Sequence, residues 1–363
     1  MELFLHIGTN KTASSYLQTL QTKNKKLLQK EKIYCPPSEY DKEMLSGKIS
    51  PGNGHVLANI LCLPEKRDEQ LHTYFKNLIR SANREKCSKI CLSNEILIRL
   101  FSNEELIQSL SNAATKAGFI KINMFCFLRN PYEHALSLYK HRMKSGNVID
   151  YSKWLETDYK TISLFRQFLQ HFTKSKDINW SFRVYKRDPA YMMKVYFYDF
   201  LGITTTIDHR LPKSVNPSMS LKGIKIMGVM EKIRSGAGAF FYRYSTENNI
   251  KISEEGNLEQ KFFAAYNDYL NTKFPNITEQ ISSLLPSNEQ SEFLRLPSAR
   301  AISYDVTFSL NESEFEAVCQ TFSKMRNKNF LTSGIVYLKR LKAKYLNKPQ
   351  HFDSSRYGGS LRN

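Results

Sequence analysis

Long apolar runs are missing from this chain of 363 residues. No window approaches the roughly 18 uncharged apolar residues that a membrane span requires. The first residues, Met1 to His6, carry no basic stretch, and their apolar run is far too short for a leader. They read as the first strand of the fold. Cysteine is sparse and scattered, with Cys35, Cys62, Cys87, Cys91, Cys126 and Cys319 as the full set. Cys87 and Cys91 have no second pair to complete a zinc site, so no metal is expected. Isolated thiols point to reduced, mostly buried side chains in a cytoplasmic protein rather than a disulfide framework. Acidic residues are few beside basic ones: 34 Asp and Glu against 53 Lys and Arg, a formal net charge of +19. Such a surplus attracts anions. A nucleic acid, an anionic membrane, an acidic glycan and a polyphosphorylated cofactor all qualify, and charge alone does not choose among them.

Signatures of nucleic-acid binding are absent too. There is no zinc finger, helix-turn-helix or aromatic–basic RNA motif, so no nucleic-acid partner is expected. The densest basic cluster, Lys339 to Lys344, has the look of a solvated helix face. A non-enzymatic nucleic-acid or membrane-surface binder therefore stays as a rival that rests on charge alone. No internal repeat is visible.

What the chain does have is material for a large core, with 23 Phe, 20 Tyr and 41% hydrophobic residues. Residues 3–8, 90–93 and 122–128 read as short buried strands. Between and after them, residues 12–31, 68–83, 103–117 and 131–144 carry helical spacing, with Ser102 or Asn103 as a cap and Pro131 at a helix start. Residues 36–56 are rich in Pro and Gly and read as loop. Alternating strands and helices imply βαβ units and a parallel sheet. Beyond residue 150, a helix at 159–174, a strand at 182–185 and a helix at 190–201 are expected. Helices at 221–244, 256–272, 311–326 and 332–346 follow. The expected division is an α/β core over 1–220, a mainly helical region over 221–346 packed on it, and a mobile basic tail over 347–363.

Ligands of parallel sheets sit at the carboxyl ends of the strands, and three segments lie there. After the first strand comes Gly8-Thr9-Asn10-Lys11-Thr12-Ala13-Ser14-Ser15-Tyr16. A strand–turn–helix junction aims free backbone N–H groups and the positive helix end at one point. Ser14 and Ser15 add hydroxyls and Lys11 a mobile charge, which makes an anion cradle. An ordinary capped helix start is the plainer alternative. The pattern departs from the nucleoside-triphosphate loop G-x-x-x-x-G-K-[ST], since no Gly precedes the lysine. After the third strand comes Arg129-Asn130-Pro131, with Ser137 about two turns into the next helix. Arginine matches a phosphate with two parallel hydrogen bonds. A strand-end salt bridge for Arg129 and simple packing for Ser137 remain open. After the second strand comes Ser93-Asn94-Glu95.

These stretches resemble the PAPS-dependent sulfotransferases (PAPS is 3′-phosphoadenosine-5′-phosphosulfate). Residues 4–18 are similar to that family's 5′-phosphosulfate loop, especially its bacterial form. Residues 127–139, with Arg129 and Ser137, are similar to its 3′-phosphate motif. Residues 215–220 are similar to a segment seen in bacterial members. The family has Gly where this chain has Ala13 and Thr-Thr where it has Ser14-Ser15, and its late Gly-rich donor segment is not recognisable. The resemblance implies a P-loop-like sulfotransferase fold, a central parallel sheet flanked by helices, and transfer of a sulfuryl group from PAPS to an acceptor hydroxyl, leaving PAP. By resemblance, Lys11 neutralises the leaving phosphate, and Thr12, Ala13, Ser14, Ser15 and Tyr16 hold the 5′-phosphate. Arg129 and Ser137 hold the 3′-phosphate.

The acceptor hydroxyl needs a base. Glu95 is the first candidate and His55, in a glycine-rich loop, the second. Glu95 reads equally well as a helix-opening residue. His6 reads as a buried strand residue, His134 and His141 as surface or packing residues. The implied acceptor is a glycan, such as a polysaccharide, lipopolysaccharide or glycolipid, anionic or membrane-linked. That allows a peripheral place at the inner membrane surface. Tyr151, Trp154, Arg183 and Lys186 could line its site or serve as core and surface residues. A small-molecule kinase is the enzymatic rival, because it shares the strand–loop–helix phosphate site.

Overall fold

The structure is a computed structural model. It describes residues 1–48, 50–63, 65–171, 177–210, 219–250, 252, 256–295 and 310–324. The expected helix at 332–346, the tail at 347–363, the basic cluster at 339–344 and residues 215–218 lie outside that set.

The protein is α/β, with a five-stranded sheet in the order β2-β3-β1-β4-β5. The strands are β1 (Glu2–Ile7), β2 (Ile33–Tyr34), β3 (Lys89–Asn94), β4 (Lys121–Leu128) and β5 (Ile178–Val184). Every neighbouring pair is parallel. β1 lies in the centre, with Leu5 opposite Leu92 of β3 on one side and Met124 of β4 on the other. A parallel sheet covered on both faces needs strands that are apolar throughout. β4, with the sequence KINMFCFL, is buried from Ile122 to Leu128.

The chain divides into two compact units: 1–135, 158–216 and 270–295 form the first, and 136–157, 217–269 and 296–363 the second. The first holds the sheet. Its helices are α1 (Ser14–Lys23), α2 (Lys25–Lys30), α3 (Asp41–Leu45), α4 (His55–Leu61), α5 (Arg67–Arg84) and α6 (Glu104–Ala117). The long helical reading of 12–31 therefore gives way to two helices, the first delayed to Ser14 by the left-handed Ala13 and the second separated from it at Asn24. Residues 36–56, read as loop, contain α3 and the start of α4. α5 buries Leu71, Phe75, Leu78 and Ala82 at helical spacing and carries Asp68 and Glu69 in its first turn, where the helix dipole favours acids. Asn103 caps α6 by accepting from the Glu105 N–H at 2.8 Å, and Gly118 ends it at φ 111°.

The helix α7 (Pro131–Arg142) opens in the first unit and continues into the second. α8 (Tyr151–Thr157) belongs to the second unit. α9 (Thr161–His171) and α10 (Pro189–Met193), which runs on as a π-helical stretch Lys194–Phe200, belong to the first. Phe4, Phe125, Phe127, Tyr196 and Phe197 fill the first unit's core. His6 is fully buried, as its strand position implied, with Nδ1 2.8 Å from Ser93 Oγ.

The second unit adds α11 (Leu221–Ile233), α12 (Ala237–Glu247), most of α13 (Gly256–Lys273) and, after two helices of the first unit, α14 (Ile277–Ser282) and α15 (Ser287–Phe293), the helix α16 (Glu312–Lys324). The single helix expected over 221–244 is broken at Gly236, φ 81°. Tyr139, Tyr151, Trp154 and Phe262 pack as an aromatic cluster. The buried Lys222 ammonium meets Glu314 at 2.6 Å. Among the described residues, no helix is long and apolar enough to cross a membrane.

Candidate functional site

β1, β3 and β4 lie side by side and parallel, so the segments that follow them leave the sheet at one end. The loop after β1, residues 8–13, is tied down at each step. Thr12 Oγ1 donates to the Thr9 carbonyl at 2.6 Å. Thr9 Oγ1 donates to the Phe127 carbonyl of β4 at 3.3 Å. The His134 Nε2 lies 2.7 Å from the Asn10 carbonyl, and Arg129 donates from Nη1 to the Lys11 carbonyl at 3.3 Å. The carbonyls of Thr9, Asn10 and Lys11 are thus drawn into the protein. The amides of the first turn of α1 have no acceptor within the helix itself, and a loop-to-helix junction of this kind can take up an anion.

The loop is strained where it turns. Lys11 has φ 67° and Ala13 φ 63°, and a side chain in the left-handed region costs about 1–2 kcal/mol. Ala13 stands directly before α1 and offers no side-chain cap. Thr12 is fully buried, and its hydroxyl is committed to the loop itself. Ser14 is buried while Ser15 and Tyr16 are half-buried. Ser14 Oγ makes no hydrogen bond of good geometry, but it lies close enough to the Glu95 carboxyl to pull that acid's pKa down.

Gly8 shows how tightly these groups converge. A Cβ placed on it would lie 2.5 Å from Ser14 Oγ, closer than real Cβ atoms come, and a tight 3.0 Å from Glu95 Cγ. Strand end, helix start and Glu95 therefore meet at one point, and a side chain on residue 8 would displace Ser14. Glu95 opens a 3₁₀ turn, Glu95–Ser102. Asn94 caps that turn by accepting from Ile96 N–H at 2.5 Å, so Glu95 is not needed as a cap. Burial raises the Glu95 pKa, and the Ser14 hydroxyl and the Lys11 charge partly offset this.

Arg129 is buried, with 7% of its surface exposed. Its Nε and Nη2 each lie 3.3 Å from Glu133 Oε2, one turn on along α7, and its guanidinium stands over the Tyr185 ring at 5.3 Å. Burial lowers its pKa, Glu133 works against this, and Arg187 adds like-charge repulsion. A guanidinium stays charged through such shifts. Asn130 donates to the carbonyls of Phe293 at 2.8 Å and Arg295 at 3.2 Å, and it accepts from the Glu133 N–H. The middle residue of Arg129-Asn130-Pro131 thus anchors α15 and caps α7.

His134 is the residue that sequence reasoning missed. Read there as a surface or packing residue, it is buried and joins α7 to the anion loop. The Asn10 carbonyl can only accept, so Nε2 carries the proton. Nδ1, 3.2 Å from the Tyr159 hydroxyl, is left as an acceptor. Burial, helped by the Arg129 and Lys11 charges, pushes its pKa down to about 4, which keeps the ring neutral. Nothing in the spacing of α7 distinguishes it from His141.

His55 opens α4. Its Nδ1 lies 3.2 Å from the Gly52 carbonyl and its Nε2 3.2 Å from Glu39. Both ring nitrogens are engaged, whereas Glu95 faces Lys11 and Ser14. Ser137 lies on α7 within the second unit and is half-buried. Arg183 and Lys186 pair with Glu289 and Glu292, and Tyr151 and Trp154 belong to the aromatic cluster of the second unit. Compared with known proteins, the chain matches no family model, no curated protein and no solved structure.

Proposed function

We propose that this protein is a PAPS-dependent sulfotransferase with a P-loop-like fold, acting on the hydroxyl of a glycan. The observation that carries the reading is the bond from Arg129 Nη1 to the Lys11 carbonyl at 3.3 Å. It joins the two stretches that resemble the family's donor motifs. Gly8 and the buried hydroxyl of Ser14 fit the same reading, because they leave a tight cradle of donors beside a lysine.

When bound, PAPS supplies the sulfuryl group and departs as PAP. The chain's own residues then have separate tasks. The amides of residues 12–16, with the Ser14 and Ser15 hydroxyls, hold the 5′-phosphate. Lys11 neutralises charge that develops on the leaving oxygen; fixed positive charge in a water-poor site contributes most of the catalysis in transfers of this kind. Arg129 binds the 3′-phosphate. Glu95 takes the acceptor's proton. Its raised pKa brings it nearer the working pH, where a general base is most effective. His55, held by Gly52 and Glu39, would have to break a contact to do the same.

Calorimetry with PAP, AMP and ATP tests this. PAP should bind more tightly than AMP, and the preference should vanish in Arg129→Ala. Equal binding of AMP and PAP removes the reading, and a preference for ATP with Mg²⁺ replaces it with a small-molecule kinase.

A further inference from the structure

The segment after β5, residues 185–189, spans the two halves of the anion site. At one end the Tyr185 N–H donates to the Leu128 carbonyl at 2.7 Å, immediately before Arg129, and the Tyr185 ring lies under the Arg129 guanidinium at 5.3 Å. At the other end the Pro189 carbonyl accepts from the Tyr16 hydroxyl at 3.5 Å, in the first turn of α1. The segment therefore runs from the arginine to the helix start.

It carries three charged side chains, and two have fixed employment. Lys186 pairs with Glu292 and lies over the Tyr191 ring at 4.7 Å. Asp188 caps α10 by accepting from the N–H groups of Ala190 and Tyr191 at 2.9 and 3.3 Å. Arg187 is exposed and makes no ion pair or hydrogen bond among the described residues. It stands two residues past Tyr185, on which the Arg129 guanidinium rests, and its like charge acts to lower the Arg129 pKa.

A charge balance explains why a second cation belongs there. Arg129 already faces Glu133 at 3.3 Å. A dianionic phosphate arriving at Arg129 meets that carboxylate as well, so one guanidinium does not neutralise it. We propose that Arg187 is a second phosphate ligand, closing from the strap at 185–189 onto the same phosphate that Arg129 holds. This rests on the donor reading above and adds a residue that neither donor motif contains. An anion between the two guanidiniums relieves their mutual repulsion, which makes the strap selective for a ligand doubly charged at that point.

The test is calorimetry on the full chain with PAP and AMP as probes, comparing wild type with Arg187→Gln and Arg187→Lys at two salt concentrations. Arg187→Gln should weaken PAP about tenfold, the size of one charge-assisted hydrogen bond. Its salt dependence should become shallower, AMP should change far less, and Arg187→Lys should recover part of the loss. Because the side chain is exposed and makes no ion pair or hydrogen bond among the described residues, the melting temperature should not fall. Unchanged PAP affinity in Arg187→Gln, with wild type still preferring PAP over AMP, overturns this inference alone. An equal loss for AMP and PAP also overturns it, since it signals only a diffuse field. Wild type that shows no preference for PAP overturns both this and the donor reading.

Discussion

The guanidinium of Arg129 reaches the backbone carbonyl of Lys11 at 3.3 Å, across 118 residues of sequence. The contact is to the main chain and not to the ammonium, and this matters. The arginine holds the main chain at Lys11, a left-handed residue, and so fixes the turn from which the lysine side chain leaves. The same guanidinium is braced by Glu133 and Tyr185, so its position is set before any ligand arrives. Preorganised charge of this kind costs no reorganisation at the moment of reaction.

Glu95 should govern the acid limb of the rate. Its pKa is raised by burial, and the Ser14 hydroxyl and Lys11 only partly counter that. A base must be deprotonated, so turnover should rise with pH through a value above the ordinary carboxylate range. Glu95→Gln should abolish that limb and cut kcat by about a hundredfold or more, with PAP affinity little changed. His55→Ala should keep the limb. A limb that persists in Glu95→Gln, or disappears in His55→Ala, moves the base to His55.

How much of this could be read from the chain alone varies with the kind of physics involved. The strands at 3–8, 90–93 and 122–128 were legible because buried parallel strands are continuous apolar runs, and the placing of Gly8, Lys11 and Arg129 just past strand ends follows from those runs. β2 was not, since a two-residue strand has no periodicity. The break at Gly236 was missed because helical spacing continues on both sides. The role of His134 depends on which carbonyl lies across from it, a tertiary fact that no local spacing encodes. Thr12, read as a phosphate ligand by resemblance, has its hydroxyl turned to Thr9.

Ala13 carries a penalty that a smaller residue should remove. It sits at φ 63° and ψ 22° at the start of α1, where glycine is at ease and alanine loses about 1–2 kcal/mol. Glycine loses part of that gain through extra freedom in the unfolded chain. Ala13→Gly should therefore leave stability unchanged or raise it by up to about 1 kcal/mol, while Ala13→Val should lower it clearly. Thermal unfolding of the two variants decides; a stability loss in Ala13→Gly equal to that of Ala13→Val would mean that the methyl group packs usefully.

Two buried histidines should make the fold sensitive to acid. Burial pushes the pKa of His6 down to about 3 and, with Arg129 and Lys11 assisting, that of His134 down to about 4. In the unfolded chain both titrate near the ordinary value of about 6.5. Between these limits the unfolded state binds more protons, so stability falls as pH drops from about 6.5 toward 3 to 4. His134→Gln retains an amide donor toward the Asn10 carbonyl and cannot be charged. Its melting temperature should fall less than that of wild type across this window. Parallel pH curves for the two proteins would remove His134 as a source of the effect.

The last prediction concerns a carboxylate outside both donor motifs. Glu289 on α15 is buried and accepts from Arg183 Nε at 2.7 Å, Arg183 Nη2 at 2.6 Å, the Val184 N–H at 2.7 Å and the Tyr191 hydroxyl at 3.0 Å. Deleting it leaves a buried N–H and most of a guanidinium unpaired, with only Asp199 at 3.7 Å still near Arg183. Breaking a buried pair on one side costs about 3–5 kcal/mol, and the partial exposure of Arg183 reduces this to about 2–4 kcal/mol. Val184 immediately precedes Tyr185, on which Arg129 rests, so the damage should reach the anion site. Glu289→Ala should lower the melting temperature and weaken PAP binding together. Glu289→Gln, which keeps an acceptor, should recover part of both. A large loss of stability with PAP affinity intact would show that α15 supports the fold without setting the position of Tyr185.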